Sequence, residues 1–413
     1  MKTFICLRNS LMNTLNCLGV IKLKLLMVGS RFLLKRHEGD KNFWLELVEE
    51  LKSKIEEIHI LSLNSDYSKG KQFYEPNIWL YNLSPTPFPI FERRFSDIKL
   101  ASTNNYISKS LSFIKILKEV RKISYNNDID IVHFIDNYGP IMSFMKLVPL
   151  KAPSTVSAIS YHPRYFGYDL FLKLSLSPFK TIVASSSSFM HKLVELGFDK
   201  NKIKKICWGV NTLKIKPKLE LREDTREQMN INPESKIVLW SGFLQQTSLQ
   251  DFFYSIDVAN EILKLTDECT FIFCFKHVHF RKEYLKYQSE NIKIISTGTN
   301  EDFIGLVNAS DVFICPVLVK DSIVAPPLTW LEVMAYGIPV VTNDVKGAEE
   351  VIQNGINGYI TKSKEEMVKR ILEIITNEDR RLHKHARDSI SHNHDIKIIA
   401  NEYLHLWNEL VRG

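Results

Sequence analysis

The sequence predicts an α/β chain of two domains, each built on a parallel sheet, and three observations predict it. The chain has 413 residues, 45% of them hydrophobic and 24% charged, which is too long for one core and too apolar for disorder. Short apolar runs of strand length repeatedly reach a glycine and lead into helical periodicity, the strand, loop and helix unit of α/β domains. A charged stretch from Lys214 to Asn232, with Pro217 inside it and Pro233 after it, suits an interdomain connection.

The first domain opens with the strand Lys24 to Gly29, a loop carrying Gly39, and a helix from Phe43 to Lys54 with Phe43, Leu47, Val48 and Leu51 on one face. Strands are expected at Ile58 to Leu63 and Ile78 to Leu83, followed by an irregular stretch, Ser84 to Phe95, that carries Arg93 and Arg94. A basic helix from Lys109 to Ile123 turns Leu111, Ile114, Leu117 and Val120 one way and Lys115, Lys118, Arg121 and Lys122 the other. It reads as a helix packed on its own sheet with a solvated basic face; the rival is a helix lying on anionic lipid. Strands follow at Asp130 to Phe134, from Thr155, and at Thr181 to Ser185, then a helix ending near Gly197. Ligands bind beyond the carboxyl ends of parallel strands, where His133, Asp136, His162 and Arg164 could converge.

The second domain begins with Lys236 to Gly242, a helix from Leu249 to about Leu265, and strands at Thr270 to Phe275, leading to Lys276, and at Ile292 to Ser296. Its centre is Ser322 to Val341, S-I-V-A-P-P-L-T-W-L-E-V-M-A-Y-G-I-P-V-V. Pro326 and Pro327 fix φ and offer no donor, so a helix can start only at their carboxyl side, with Thr329 as N-cap. Leu328, Leu331 and Ala335 then share a buried face, and Gly337 with Pro339 ends the helix. Glu332 falls in the first turn, where the helix dipole favours a carboxylate.

Composition narrows the function. The six cysteines, Cys6, Cys17, Cys207, Cys269, Cys274 and Cys315, include no C-x-x-C pair and read as reduced core thiols of a cytosolic protein. No apolar run reaches the roughly 18 to 20 residues that span a bilayer. Met1 to Leu26 lacks a clear cleavage site. A net charge of +7 fits an anionic partner, and the dispersed basic residues and missing motifs argue against nucleic acid.

The run from Ser322 to Val341 resembles the donor-sugar loop of the group 1 retaining glycosyltransferases, whose GT-B architecture has two facing Rossmann-like domains with parallel sheets. Val307 to Pro316 is similar to the strand before that loop, Gly347 to Gly358 to the family's E-x-V-x-x-G-x-N-G element, and Ile206 to Asn211 to its interdomain hinge. The resemblance implies four parts: an extension, 1–23; an acceptor domain, 24–213; a nucleotide-sugar domain, 214–395; and a terminal helix, 396–413, crossing back to the first domain. It implies that Glu332 accepts hydrogen bonds from a ribose, that the backbone around Pro327, Leu328 and Thr329 faces the diphosphate, and that Gly242 and Glu350 complete the donor side. His162 matches a strand-end histidine that contacts the sugar or acceptor, and Gly39, Asp136 and Arg164 lie on the acceptor side. No metal and no cofactor is implied beyond the nucleotide-sugar as co-substrate; the acceptor is a glycan or a lipid-linked molecule, at an inner membrane face if the protein is peripheral.

The chain departs from the family at the chemistry. An arginine and a lysine that neutralise the donor diphosphate are Phe243 and Ser248 here, and the first donor-loop glutamate is Val324. Preorganised charge on a leaving group is a large term in catalysis, so Lys276, Lys320 or Lys346 would have to replace those cations and Asp321 the acid. The first reading is a retaining glycosyltransferase in polysaccharide or glycoconjugate synthesis; the second is a non-catalytic relative that binds or scaffolds. An epimerase lacks its acids and histidines, and no G-x-G-x-x-G marks a dehydrogenase.

Overall fold

A computed structural model describes residues 21–29, 39–63, 70–83, 101–135, 140–147, 149–158, 160–161, 167–242, 246–276, 282–297, 300–318, 323–324, 326–377 and 380–412. The chain forms two compact units: residues 1–207 with 399–413, and residues 208–398.

The first unit contains β1 (Ile21–Gly29), α1 (Gly39–Leu51), β2 (Ile55–Leu63), β3 (Gly70–Glu75), β4 (Ile78–Leu83), α2 (Ala101–Asn126), β5 (Ile131–Phe134), β6 (Ser154–Ala158), α3 (Tyr168–Leu176), β7 (Thr181–Ala184), α4 (Ser187–Glu195) and β8 (Ile203–Lys205). A 3-10 turn, Pro140–Lys146, joins β5 to β6. The sheet order is β3-β4-β2-β1-β5-β6-β7-β8, parallel except for β3, an antiparallel edge strand that the sequence pattern does not announce. From β1 the chain steps to β2 in one direction, whereas its later crossovers run the other way. Right-handed connections therefore put α1 on one face and α2, the 3-10 turn and α3 on the opposite face.

Adjacent residues of β5 display the two faces. Phe134 packs against Phe113 of α2 and Phe179, just past α3, with ring centroids 6.3 and 5.3 Å away. His133 points the other way, to Trp44 of α1 and to Tyr403 and Trp407, at 5.5, 5.4 and 5.6 Å. Those last two rings belong to α11 (Ile396–Arg412), whose residues from Ile399 on group with the first unit. The His133 ring nitrogens meet the Thr155 hydroxyl at 2.7 Å and the Ser157 hydroxyl at 3.0 Å, and Ser157 meets the Tyr403 hydroxyl at 3.1 Å. This corrects the sequence expectation for His133: it lies within the strand on the α11 side, a buried core group rather than a crevice residue.

Helix α2 also differs from its expected register. Its buried stripe is Phe113, Ile116, Val120 and Ile123, whereas Ile114 is 61% exposed. The aromatic Phe113 takes the inward position because Phe134 waits for it on the sheet. The stretch similar to the family's hinge, Ile206 to Asn211, carries an isolated bridge between Val210 and Asp395; β8 is the last strand of the first sheet.

The second unit contains α5 (Leu219–Gln228), β9 (Lys236–Gly242), α6 (Gln246–Leu263), β10 (Cys269–Lys276), β11 (Ile292–Thr297), α7 (Asn300–Ala309), β12 (Val312–Ile314), α8 (Leu328–Ala335), β13 (Val340–Asn343), β14 (Gly358–Thr361), α9 (Lys364–Thr376) and α10 (Arg381–Asn393). Its sheet, ordered β11-β10-β9-β12-β13-β14, is wholly parallel. The charged connection therefore holds a helix, α5, whose guanidiniums do the packing. Arg222 donates to the carbonyls of Asn308, Ala309 and Ser310 at the end of α7 and to the Asp311 carboxylate at 2.9 Å. Asp311, 2% exposed, also accepts the Ile237 N–H at the start of β9, at 2.9 Å. The segment from Gly347 to Gly358 begins with a 3-10 turn, Ala348–Glu350, and Asn357 bonds the Gln353 N–H and the Val351 carbonyl and closes it as a loop. Among the described residues no helix is long and apolar enough to cross a membrane.

Burial pushes His133 down to about 3, so the folded protein keeps the ring neutral while the unfolded chain takes a proton near pH 6.5. The unfolded state then holds more protons, and this stability is complete above pH 6.5 and lost as the pH falls, by up to about 1.4 kcal/mol per unit. Melts of the wild type from pH 7.5 to pH 5 should fall more steeply than those of His133→Asn; parallel curves would refute the buried neutral ring.

Candidate functional site

Strand order locates the crevice in the second unit. The chain leaves β9 for β10 and β11 on one side, then returns through α7 to β12 on the other, so the topological switch lies between β9 and β12. Open parallel sheets bind ligands beyond the carboxyl ends at such a switch. Gly242 ends β9 there, and Cys315 to Leu318 leaves β12.

Three side chains tie that exit segment. Thr342 donates to the Cys315 carbonyl at 2.8 Å. Asn343, ending β13, accepts the Val317 N–H at 2.5 Å and donates to the Val317 carbonyl at 2.7 Å. Asp251, in the second turn of α6, accepts the Leu318 N–H at 3.0 Å. Gly242 has a steric reason: a Cβ there would stand 2.5 Å from the Trp240 indole, which is buried among Phe252, Phe273 and Phe275.

Helix α8 starts at Leu328, with Pro327 at φ −54° and ψ 134° as its cap residue. Thr329 is therefore the second helical residue and not the N-cap, since Pro327 already supplies the extended ψ that admits a helix. Glu332 consequently sits one turn in, beyond the first turn where the sequence placed it. Trp330, Leu331, Val333, Met334 and Ala335 are all buried, so the expected single face of Leu328, Leu331 and Ala335 gives way to a helix enclosed nearly all round. Leu328, Thr329 and Glu332 remain half-buried. Burial, with the Glu332 carboxylate nearby, pushes the Tyr336 hydroxyl up to about 12. The first-turn N–H groups of α8 and the Glu332 side chain thus belong to a helix largely enclosed by apolar side chains, whose carboxyl end is tied by the Arg387 guanidinium to the Ala335 carbonyl. Gly337, at φ +80°, supplies the left-handed residue that ends it.

Glu350 is half-buried in the 3-10 turn after β13, so Gly242, Pro327, Leu328, Thr329, Glu332 and Glu350 all belong to segments leaving the carboxyl ends of β9, β12 and β13. Lys346 is exposed on the same connection. Lys276 is the last residue of β10, but its side chain lies outside the described residues, as do Phe243, Lys320 and Asp321 and the side chains of Ser248 and Val324. In the first unit Gly39 begins α1, the helix after β1, while Asp136, His162 and Arg164 lie outside the described residues.

Sequence reasoning missed Asp251, Thr342 and Asn343. Their one signal is position: Thr342 and Asn343 close an apolar strand, and Asp251 interrupts the run Leu249 to Phe253. Burial raises the Asp251 carboxyl to about 6, against the opposing Leu318 hydrogen bond. The folded state thus takes up this proton more readily, so its contribution to stability is present below the ordinary value near 4 and lost as the pH rises through 6. Asp251→Asn keeps an acceptor oxygen without the buried charge. At pH 8 it should melt at or above the wild type, with the gap closing towards pH 5, while Asp251→Ala should lose about 1 to 2 kcal/mol by stranding the Leu318 N–H. Identical melting of the two variants would remove Asp251 as the anchor.

Comparison with known proteins adds four findings. Residues 222–389 match the family described as glycosyl transferases group 1. Spore coat protein SA of Bacillus subtilis is 22% identical over 311 residues, covering 68% of this chain and 78% of that protein. Among solved structures, the sucrose-phosphate synthase of Thermosynechococcus elongatus superposes with a TM-score of 0.72 at 13% identity, covering 94% of this chain and 99% of that one. HepE of Anabaena, in complex with UDP-glucose, gives 0.65 at 13% identity, over 94% and 100%.

Proposed function

We propose, from the match of residues 222–389 to the group 1 glycosyltransferase family and the likeness to GT-B structures, that the protein transfers a sugar from a nucleotide diphosphate donor to an acceptor hydroxyl with retention of configuration. The observation that carries this reading is the second sheet's switch point, where a tied exit segment leads towards α8 with Glu332 on its part-exposed side. A helix N-terminus of this kind suits a diphosphate, and a carboxylate beside it suits the two hydroxyls of a ribose. UDP-glucose in HepE supports a nucleotide-sugar as the donor class.

In this reading Glu332 holds the ribose and the backbone of Pro327, Leu328 and Thr329 meets the diphosphate. Gly242 and Glu350 flank the donor, and Lys276 or Lys320, with Asp321, replaces the family's missing charges. The leaving diphosphate helps to deprotonate the acceptor on the face it departs from, so no metal and no side-chain nucleophile is required. Gly39, Asp136, His162 and Arg164 serve the acceptor, a glycan or lipid-linked molecule of polysaccharide or glycoconjugate synthesis. Phe243, Ser248 and Val324 favour a second reading in which the donor site binds without transfer.

A thermal-shift screen against UDP, GDP, ADP, CDP and their sugar conjugates tests donor binding, since a ligand at a hundredfold excess over Kd adds about 2.7 kcal/mol. One nucleotide should stabilise the wild type selectively, and Glu332→Ala should weaken it by about 1 to 3 kcal/mol without lowering the melting of the free protein. Unchanged affinity would remove Glu332 from the site. Selective binding with no sugar transfer or donor hydrolysis would establish the second reading.

A further inference from the structure

We propose that the outer surface of α2, the 3-10 turn and α3, on one face of the first sheet, is a docking surface for an anionic lipid bilayer. The proposal is independent of the donor site. Its first observation is the corrected register of α2. With Phe113, Ile116, Val120 and Ile123 turned inward, Ile114, Lys118, Arg121, Lys122 and Tyr125 stand at i, i+4, i+7, i+8 and i+11 and share the outward stripe. Two exposed apolar side chains, Ile114 and Tyr125 at 61% and 77%, thus bracket three cations.

The second observation lies beside that stripe, in the same layer. The 3-10 turn buries Met142 and Met145 and packs on both α2 and α3. Phe144 of the turn turns outward, 54% exposed, as does Leu147, just after it, at 76%. Leu170 of α3 is 63% exposed, next to Lys173, which is exposed as well. Single exposed apolar residues are ordinary, but here several large ones recur on consecutive elements of one layer, interleaved with lysine and arginine.

Charge decides the occupant. Across the described side chains of α2 four basic residues face one acidic residue, Glu119, and that carboxylate sits 3.7 Å from Lys122. On α3 the acid is Asp169, which lies 3.6 Å from Lys192 of α4. Apolar tips ringed by cations match a headgroup boundary: the tips reach the acyl region while the cations meet lipid phosphates. An acidic protein partner would meet the same cations, but it would give no reason for the tips to be spread over three elements instead of gathered in one pocket. No helix among the described residues crosses a membrane, so the contact is peripheral.

The test is sedimentation of the full chain with vesicles of phosphatidylcholine alone and of phosphatidylcholine mixed with phosphatidylglycerol. The wild type should bind the anionic vesicles only, less so as salt rises. Lys118→Glu combined with Arg121→Glu should weaken that binding at least roughly tenfold. Phe144→Ser combined with Leu147→Ser should abolish the part that survives high salt. All four positions are exposed, so unchanged melting temperatures will show that the variants fold. Failure to bind anionic vesicles, equal binding to neutral ones, or charge-reversed protein that binds as the wild type does would overturn the proposal. So would a lipid-free dimer in sedimentation velocity that Phe144→Ser dissociates.

Discussion

The second unit depends on a buried carboxylate. Asp311, at the head of β12, reaches across to the Ile237 backbone N–H near the start of β9 and is held by the guanidinium of Arg222, with Arg226 behind it. Removing one member of such a pair leaves the other charged and buried, which costs about 3 to 5 kcal/mol. Fixing β9 against β12 at their amino ends also fixes the distance between their carboxyl ends. The crevice between those ends is where we propose the donor site, so a network at the amino ends of two strands bears on the geometry at their carboxyl ends.

From there the argument passes to the exit segment. A segment leaving a strand at a switch point has no ladder partner, and its backbone polar groups need others. Thr342, Asn343 and Asp251 provide them, in four hydrogen bonds, upstream of α8. The residues that the proposed function assigns to the donor thus sit on segments with fixed attachments, the condition under which a few kilocalories of binding energy can go into orientation.

How much of this could be read from the residues varies by element. The strand Lys236 to Gly242 was legible to the residue, because a parallel buried strand is an unbroken apolar run and Gly242 is forced by the Trp240 ring. Asp311 was visible as part of a family-like motif, though not its reason. The start of α8 was displaced by two residues, from a Thr329 cap to a Pro327 cap, since the rule that proline precedes a helix does not say which residue becomes the cap, and the position of Glu332 within the helix changed with it. Helix α5 was hidden because arginines replace an apolar stripe on its packed side. The face of α2 could not be set from sequence, since Phe113 and Ile114 compete for one inward position and only Phe134, across the sheet, decides between them. Asp251 and Asn343 act through hydrogen bonds to a loop, which leave no periodic trace.

The core of the first unit is completed from far along the chain. His133, Thr155 and Ser157 come together early in synthesis, but the rings that cover them, Tyr403 and Trp407, are more than 240 residues beyond Ser157. During translation that apolar layer emerges uncovered and stays so while the whole second unit is made, a matter of roughly ten seconds or more at ordinary elongation rates. The second unit, contiguous in sequence, has no such delay. It can fold on the ribosome while its predecessor waits, and a chaperone that shields the first unit in the interval would bind where α11 later packs.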